Sequence, residues 1–233
     1  MTKFLIAVAH PDDETLGCGG SIAKWSSEGH EIRCVFVSDG ESARVQNSEI
    51  NSNTTKASIA KRKDMAKTAL EILGVSDLIF FGLKDNRLDS YELLDIAKRL
   101  EVVVQNFAPD VVVTQSGSDL NLDHQTVHRA VITACRPKIS SPVKKLLFFE
   151  TPSSTEWNFS YETNSFKPNY FVDVSNTITS KLSALKEYGT EIPDFLHPRS
   201  LGAVEALAKY RGATVGMDFA EAFQVGLFRE GLH

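Results

Sequence analysis

The sequence predicts an α/β protein with a Rossmann-like, doubly wound, mostly parallel sheet and helices on both faces, in a single domain over residues 1–233. Three observations carry that expectation. Short apolar runs alternate with helix-like segments at least five times along the chain, the order that builds a parallel sheet with crossover helices. The runs Phe4-Leu-Ile-Ala-Val-Ala9 and Val111-Val-Val113 are apolar without interruption, as in strands buried on both faces. No internal repeat and no linker divides the 233 residues.

In order, residues 3–9 read as the first strand and 15–28 as a helix. Gly17-Cys-Gly-Gly20 in its early turns implies close packing of backbone against a strand or ligand. A dinucleotide-binding loop is disfavoured, because Asp12, Asp13 and Glu14 beside it repel an uncompensated phosphate. Residues 31–37 form the second strand, ending at Ser38-Asp39-Gly40-Glu41. The polar stretch 42–55 reads as an excursion over the sheet, a lid or rim. Residues 56–73 make an amphipathic helix with Ile59, Met65, Ala69, Ile72 and Leu73 inward and Gly74 as its stop. A third strand over 77–81, an exit loop over 82–87 and a helix over 91–107 follow. Residues 111–114 are the fourth strand and 115–123 a polar loop. A helix over 124–135, stopped by Arg136-Pro137, leads to a fifth strand over 145–150.

The irregular stretch 151–169 sets Trp157, Phe159, Tyr161 and Phe166 among polar residues. It either covers a cleft or meets a second copy of the chain, which leaves a homo-oligomer open. Residues 170–174 read as an edge strand, and 177–188 and 201–210 as helices. Residues 219–228 are ambiguous, since Ala220-Glu-Ala-Phe223 suits a helix and Phe223-Gln-Val-Gly-Leu-Phe228 a strand.

Composition narrows the function. With 42% hydrophobic and 24% charged residues the chain is ordinarily globular. A formal charge of -5, with no basic stripe, argues against a nucleic-acid partner. Cys18, Cys34 and Cys135 are odd in number and in no CxxC spacing, so they read as buried thiols in a reducing compartment. No leader precedes the first strand and no apolar run approaches the roughly 20 residues of a membrane span, which makes a cytoplasmic enzyme the expectation.

The chemistry concentrates in His10-Pro-Asp-Asp-Glu14, at the carboxyl end of the first strand, where open α/β sheets collect their ligands. Crowded carboxylates cost free energy unless a cation or a proton relieves them. Pro11 favours a tight turn that brings His10 and a carboxylate three residues later to one point. His124, after the fourth strand, is the best third ligand from another loop. Two imidazoles and one carboxylate with an open position make a catalytic zinc arrangement, in which bound water ionises near pH 7. A spare carboxylate then serves as general base. His124 and His128, spaced i, i+4, are alternatively a metal pair in themselves or a surface pair.

Ala9-His-Pro-Asp-Asp-Glu14 after a first strand, matched by the later Asp123-His124, resembles the motifs of the LmbE-like (PIG-L) zinc-dependent deacetylases. These remove N-acetyl groups from N-acetylglucosamine-containing glycoconjugates, which implies a small-molecule acetamido-sugar substrate. The resemblance implies His10, Asp13 and His124 as ligands to one Zn2+, with Fe2+ an alternative metal, and Asp12 as general base. It maps a substrate arginine onto Arg62 and a hydroxyl-binding acid onto Asp85. Asp123, beside the last ligand, is expected to steer His124 or its neighbours as a carboxylate behind the metal. The stretch His197-Pro-Arg-Ser200 is expected in the acceptor wall, with Arg199 binding substrate. The family often has a histidine where this chain has Asn121. An amide can donate to an oxyanion but cannot deliver a proton. Protonation of the leaving amine then falls to Asp12 or to His197. The alternatives are a metal-dependent amidase on a non-sugar substrate, a phosphoesterase disfavoured by too few acids for a second metal, and a sugar-binding homologue without turnover.

Overall fold

Strands that are apolar throughout are stable only with both faces covered, and the crossover helices supply that cover. The computed structural model describes residues 1–139, 141–159 and 165–231. Within them β1 (Lys3–Val8), α1 (Asp13–Ser27), β2 (Glu31–Ser38), α2 (Asn53–Ile72), β3 (Asp77–Leu83), α3 (Leu93–Phe107), β4 (Val111–Gln115), α4 (Leu122–Ala134) and β5 (Lys145–Phe149) alternate as expected. They are followed by β6 (Tyr170–Asp173), α5 (Ile178–Glu187), α6 (Leu201–Ala213) and β7 (Ala220–Phe228). The sheet runs β3-β2-β1-β4-β5-β7-β6. β1 pairs in parallel with β2 on one side and β4 on the other, so the chain reverses its winding between β1 and β4. That reversal opens a crevice at the carboxyl ends of these two strands, the place where a doubly wound sheet binds its ligand.

Alternate residues of β1, with Ala9 just after it, enter opposite cores. Phe4, Ile6 and Val8 pack with α1, α2 and α5, whereas Leu5, Ala7 and Ala9 pack with α3 and α4. The ambiguous segment 219–228 is resolved as β7, antiparallel to both β5 and the edge strand β6. Glu221 explains why its pattern misleads. The carboxylate is buried on β7, where it accepts from the Gly20 and Ser21 amides at 2.9 and 2.7 Å and meets Lys181 Nζ at 2.6 Å. Lys181 also donates to the Leu16 carbonyl at 2.8 Å. Cys18 has non-helical angles (φ -144°, ψ 23°) that kink α1, and this buried pair meets backbone groups on either side of the kink.

α2 begins earlier than its apolar pattern suggests, with Ser52 accepting from the Thr55 amide as N-cap. Its buried face is Thr55, Arg62, Ala66, Ala69 and Leu70, and Ile72, expected inside, is exposed. The excursion 42–55 contains two short 3-10 turns, Ser42–Arg44 and Asn47–Glu49, before α2 begins. Trp157 and Phe159 are exposed on the segment after β5, and Tyr161 lies outside the described residues. No helix among the described residues is long and apolar enough to cross a membrane.

α1 approaches β5 so closely that a Cβ on Gly17 would lie within the ring of the fully buried Phe149. Gly17→Ala is therefore expected to destabilise the protein by about 1–3 kcal/mol through overpacking. A thermal melt reads this as a fall in Tm, and an unchanged Tm would contradict the close approach.

Candidate metal centre

The turn after β1 is built to aim side chains into the crevice. Asp12 has φ 142° and ψ -27°, a conformation that a non-glycine residue holds only when its surroundings enforce it, at a cost of order 1–3 kcal/mol. Here the Asp12 carbonyl accepts from the Thr15 and Leu16 amides, and the Asp12 amide donates to Glu14 Oε2 at 3.1 Å. The strained turn gives the adjacent carboxylates different partners, Arg199 for Asp12 and the His10 amide and Gln115 for Asp13.

Three side chains converge at the crevice. His10 Nδ1 lies 3.2 Å from His124 Nε2 and 3.2 Å from Asp13 Oδ2, and His124 Nε2 lies 3.3 Å from Asp13 Oδ1. These separations match the edge, about 3.3 Å, of a tetrahedron whose vertices stand about 2.0–2.1 Å from its centre. Asp13 Oδ2 is already occupied, accepting from the His10 amide and from Gln115 Nε2, each at 2.8 Å. Asp13 Oδ1 is buried and accepts no hydrogen bond. Two facing imidazole nitrogens and a buried, unpartnered carboxylate oxygen fit a divalent cation with an affinity for nitrogen and oxygen donors, zinc among them.

His10, Asp85 and Asp123 form a second group of potential ligands on the opposite edge of the same imidazole. His10 Nε2 lies 3.0 Å from Asp85 Oδ1 and 3.2 Å from Asp123 Oδ2. Asp123 is committed elsewhere as well, since its two oxygens accept from the Asn86 and Leu88 amides at 2.8 and 2.9 Å. This side therefore suits an Nε2–H shared between carboxylates, which fixes the ring and leaves Nδ1 free to ligate. Asp119 stands behind the other imidazole, with Oδ2 3.1 Å from His124 Nδ1. It is itself gripped by Ser154 Oγ and, at 2.9 Å, by Thr155 Oγ1. Asp123 thus backs His10, and Asp119, which the sequence reading did not single out, backs His124.

Asp12 is 3% exposed, and its Oδ1 has no hydrogen-bond partner. Its Oδ2 meets Arg199 Nη1 at 3.3 Å. Burial raises the Asp12 pKa, Arg199 and Arg62 counter this, and Asp13 adds to it, with a net rise to about 6. For His124, burial alone would lower the pKa, but Asp13 and Asp119 reverse this and raise it to about 9. His10 is raised as well, with burial opposed by Asp123, Asp13 and Asp85.

The other expected residues separate. Asn121 is the N-cap of α4, its Oδ1 accepting from the Asp123 and His124 amides, so the helix starts at Leu122, two residues earlier than its pattern suggests. Its Nδ2 donates to Asn86 Oδ1 at 3.3 Å at the cleft edge. Asp85, Arg62 and Arg199 all line the cleft of about 100 Å³ over His10 and Asp12. Arg62 is buried between Glu41 and Glu191, 2.7 and 2.5 Å away, so its charge is largely engaged within the protein. Arg199 reaches from the loop before α6, and its Nε donates to Ser153 Oγ at 2.6 Å. His197 is not brought into the cleft. Its Nδ1 accepts from the Arg199 amide and its ring meets Trp157 edge-on. His128 does not pair with His124; its Nδ1 lies 2.9 Å from the Gln115 carbonyl and its ring packs on Phe148. Glu191, in the turn after α5, gave no signal in the sequence, whereas Asp119, an acid in the polar loop just before Asn121, could have been weighed.

Residues 5–135 match the PIG-L family, described as GlcNAc-PI de-N-acetylase. The chain belongs to the PIG-L family. Relatives agree: it is 34% identical over 193 residues to the uncharacterized deacetylase YaiS of Escherichia coli, covering 80% of this chain and 90% of that one. It is 26% identical over 236 residues to the diacetylchitobiose deacetylase of Thermococcus kodakarensis, covering 97% of this chain and 84% of that one. The fold also matches a solved structure of GalB, the 4-carboxy-2-hydroxymuconate hydratase of Pseudomonas putida, with TM-score 0.76, 21% identity and coverage of 100% and 99%. The PIG-L fold alone therefore does not select the reaction.

Because His124 is protonated near neutral pH without a metal, a ligating ion must displace that proton. Apparent zinc affinity is expected to rise from pH 6 towards about 9, with more than one proton released per ion at pH 7.5, because the pKa of the second imidazole ligand, His10, is raised as well. Calorimetry in two buffers of different ionisation enthalpy counts the protons, and an affinity independent of pH over this range would contradict the geometry.

Proposed function

We propose that this chain is a metal-dependent N-deacetylase that hydrolyses the acetamido group of an N-acetylglucosamine-type sugar or its conjugate, with Asp12 as general base. The observation that carries the reading is the division of labour between adjacent carboxylates. Asp13 offers its unpartnered oxygen to the two imidazoles, while Asp12, held by Arg199, keeps an oxygen free.

His10, Asp13 and His124 would hold one divalent ion, zinc by donor type. Bound there, the ion supplies Lewis acidity, lowering the pKa of water to about 7 and polarising the amide carbonyl. The protein's own groups do the rest. Asp12, with a pKa near 6, is ionised at neutral pH and accepts the proton of the attacking water. Once protonated, it is placed to return that proton to the departing nitrogen, so that acetate and a free amine leave. His197, turned towards Trp157, is less suited to this second transfer. The Asn121 amide, already bonded to Asn86 Oδ1, lies at the cleft edge, where it can donate to a polar group of the substrate. Asp85 and Arg199 line the cleft where sugar hydroxyls would lie. The sugar class is supported by the diacetylchitobiose deacetylase relative and by a probable N-acetyl-α-D-glucosaminyl L-malate deacetylase of Bacillus cereus, 27% identical over 142 residues.

The test is acetate release from a panel of N-acetylglucosamine, diacetylchitobiose and N-acetylglucosaminyl conjugates alongside simple N-acetyl amines. Turnover confined to the sugars is expected. Asp12→Ala should lower it by at least about 10²–10⁴-fold, the usual contribution of a positioned general base. Release from the simple amines alone would replace the sugar reading with a non-sugar amidase, and no release from any of them would sink the hydrolase.

A further inference from the structure

One buried acid next to the proposed metal ligands takes no part in the chemistry above. Glu14 is fully buried, and both of its oxygens are used. Oε1 accepts from Thr15 Oγ1 at 2.6 Å and from the Tyr188 hydroxyl, and Oε2 accepts from the Asp12 amide at 3.1 Å. Tyr188 follows α5, far along the chain from the turn it reaches, and is itself fully buried within the core beside α1 and α2. Its ring needs no hydroxyl to fill that space. The hydroxyl's contact with Glu14 joins the second half of the chain to the backbone of Asp12.

That contact matters because Asp12 holds φ 142°, a conformation the local sequence does not favour. With no glycine at this position, the turn keeps its shape only through groups that hold it from outside. The Asp12 carbonyl is held by the start of α1, but its amide depends on Glu14. A carboxylate with one oxygen anchored by Tyr188 and Thr15 cannot rotate away from that amide.

We propose that Tyr188 is a positioning residue, which acts through Glu14 to fix the Asp12 backbone and so the direction of its carboxylate. The proposal rests on the reading of Asp12 as general base. A reacting group displaced by about 1 Å can lose on the order of 10² in rate, so a hydroxyl distant from the substrate can affect turnover without affecting binding.

The experiment is Tyr188→Phe in the intact, metal-loaded protein, read in two ways. Amide hydrogen exchange at Asp12 should accelerate by roughly ten-fold or more while the amides of Ile22 to Ser26 later in α1 stay unchanged. With the best substrate of the panel, kcat should fall by about ten-fold or more while KM and metal content stay within about two-fold. Unchanged exchange at Asp12, or faster exchange with unchanged kcat, overturns the proposal. So does an equal loss in KM and metal content, which would mark a general structural role. If Tyr188→Phe does not fold, Glu14→Gln takes its place under the same readouts, since it keeps the size of the side chain and replaces one acceptor. If Asp12→Asn retains full turnover, it is the general-base reading that fails, which separates the two.

Discussion

Five carboxylates, those of Asp12, Asp13, Asp85, Asp119 and Asp123, gather around two imidazoles where β1 and β4 part, and all five are at most 5% exposed. Such crowding is stable only if positive charge or hydrogen bonds answer each acid. The surroundings of the site supply these answers. Arg199 faces Asp12, two backbone amides hold Asp123, Ser154 and Thr155 hold Asp119, and His10 stands between Asp85 and Asp13. Oxygens left without a hydrogen bond remain on the two adjacent acids of the turn, Asp12 Oδ1 and Asp13 Oδ1, and the Asp13 oxygen faces the ring nitrogen of His124.

The chain divides its work unequally around this centre. Residues 5–135, which match the family, contain all three candidate ligands, Asp12 and the carboxylates behind the imidazoles. The remainder closes the site from above and behind. Arg199 joins Asp12 to the loop after β5, and the same loop, through Ser154 and Thr155, joins Asp119 to His124. Glu191 holds Arg62 from the turn after α5. The position of Asp12 thus depends on groups distant in sequence, which is how a strained turn can stay fixed in one shape.

The fold was legible in the sequence because its strands are apolar and contiguous and its crossover helices intervene regularly. The exceptions share a cause, a polar residue buried for a purpose. Glu221 breaks the strand pattern of β7 because it serves the kink in α1, and Arg62 faces inward on α2 where periodicity selects Ile72. The site divides in the same way. His10, Asp12 and Asp13 were visible because one turn carries them, and His124 because a polar loop ends at it. The contacts of Tyr188, Glu191 and Ser154 depend on side chains far apart in the sequence meeting in the fold, which no local pattern records. Asn121 was read as a group for the oxyanion, and its carbonyl turned out to cap α4, a role equally natural for an asparagine.

The central claim is that one metal ion sits on the Nδ1 side of His10, between Asp13 and His124, with Asp12 left free beside it. The most direct measurement is anomalous X-ray diffraction from crystals of the zinc-loaded protein, recorded on both sides of the zinc absorption edge. The account predicts one peak within about 2.0–2.2 Å of His10 Nδ1, Asp13 Oδ1 and His124 Nε2. A peak between His10 Nε2, Asp85 and Asp123, or one with Asp12 among its ligands, would contradict it.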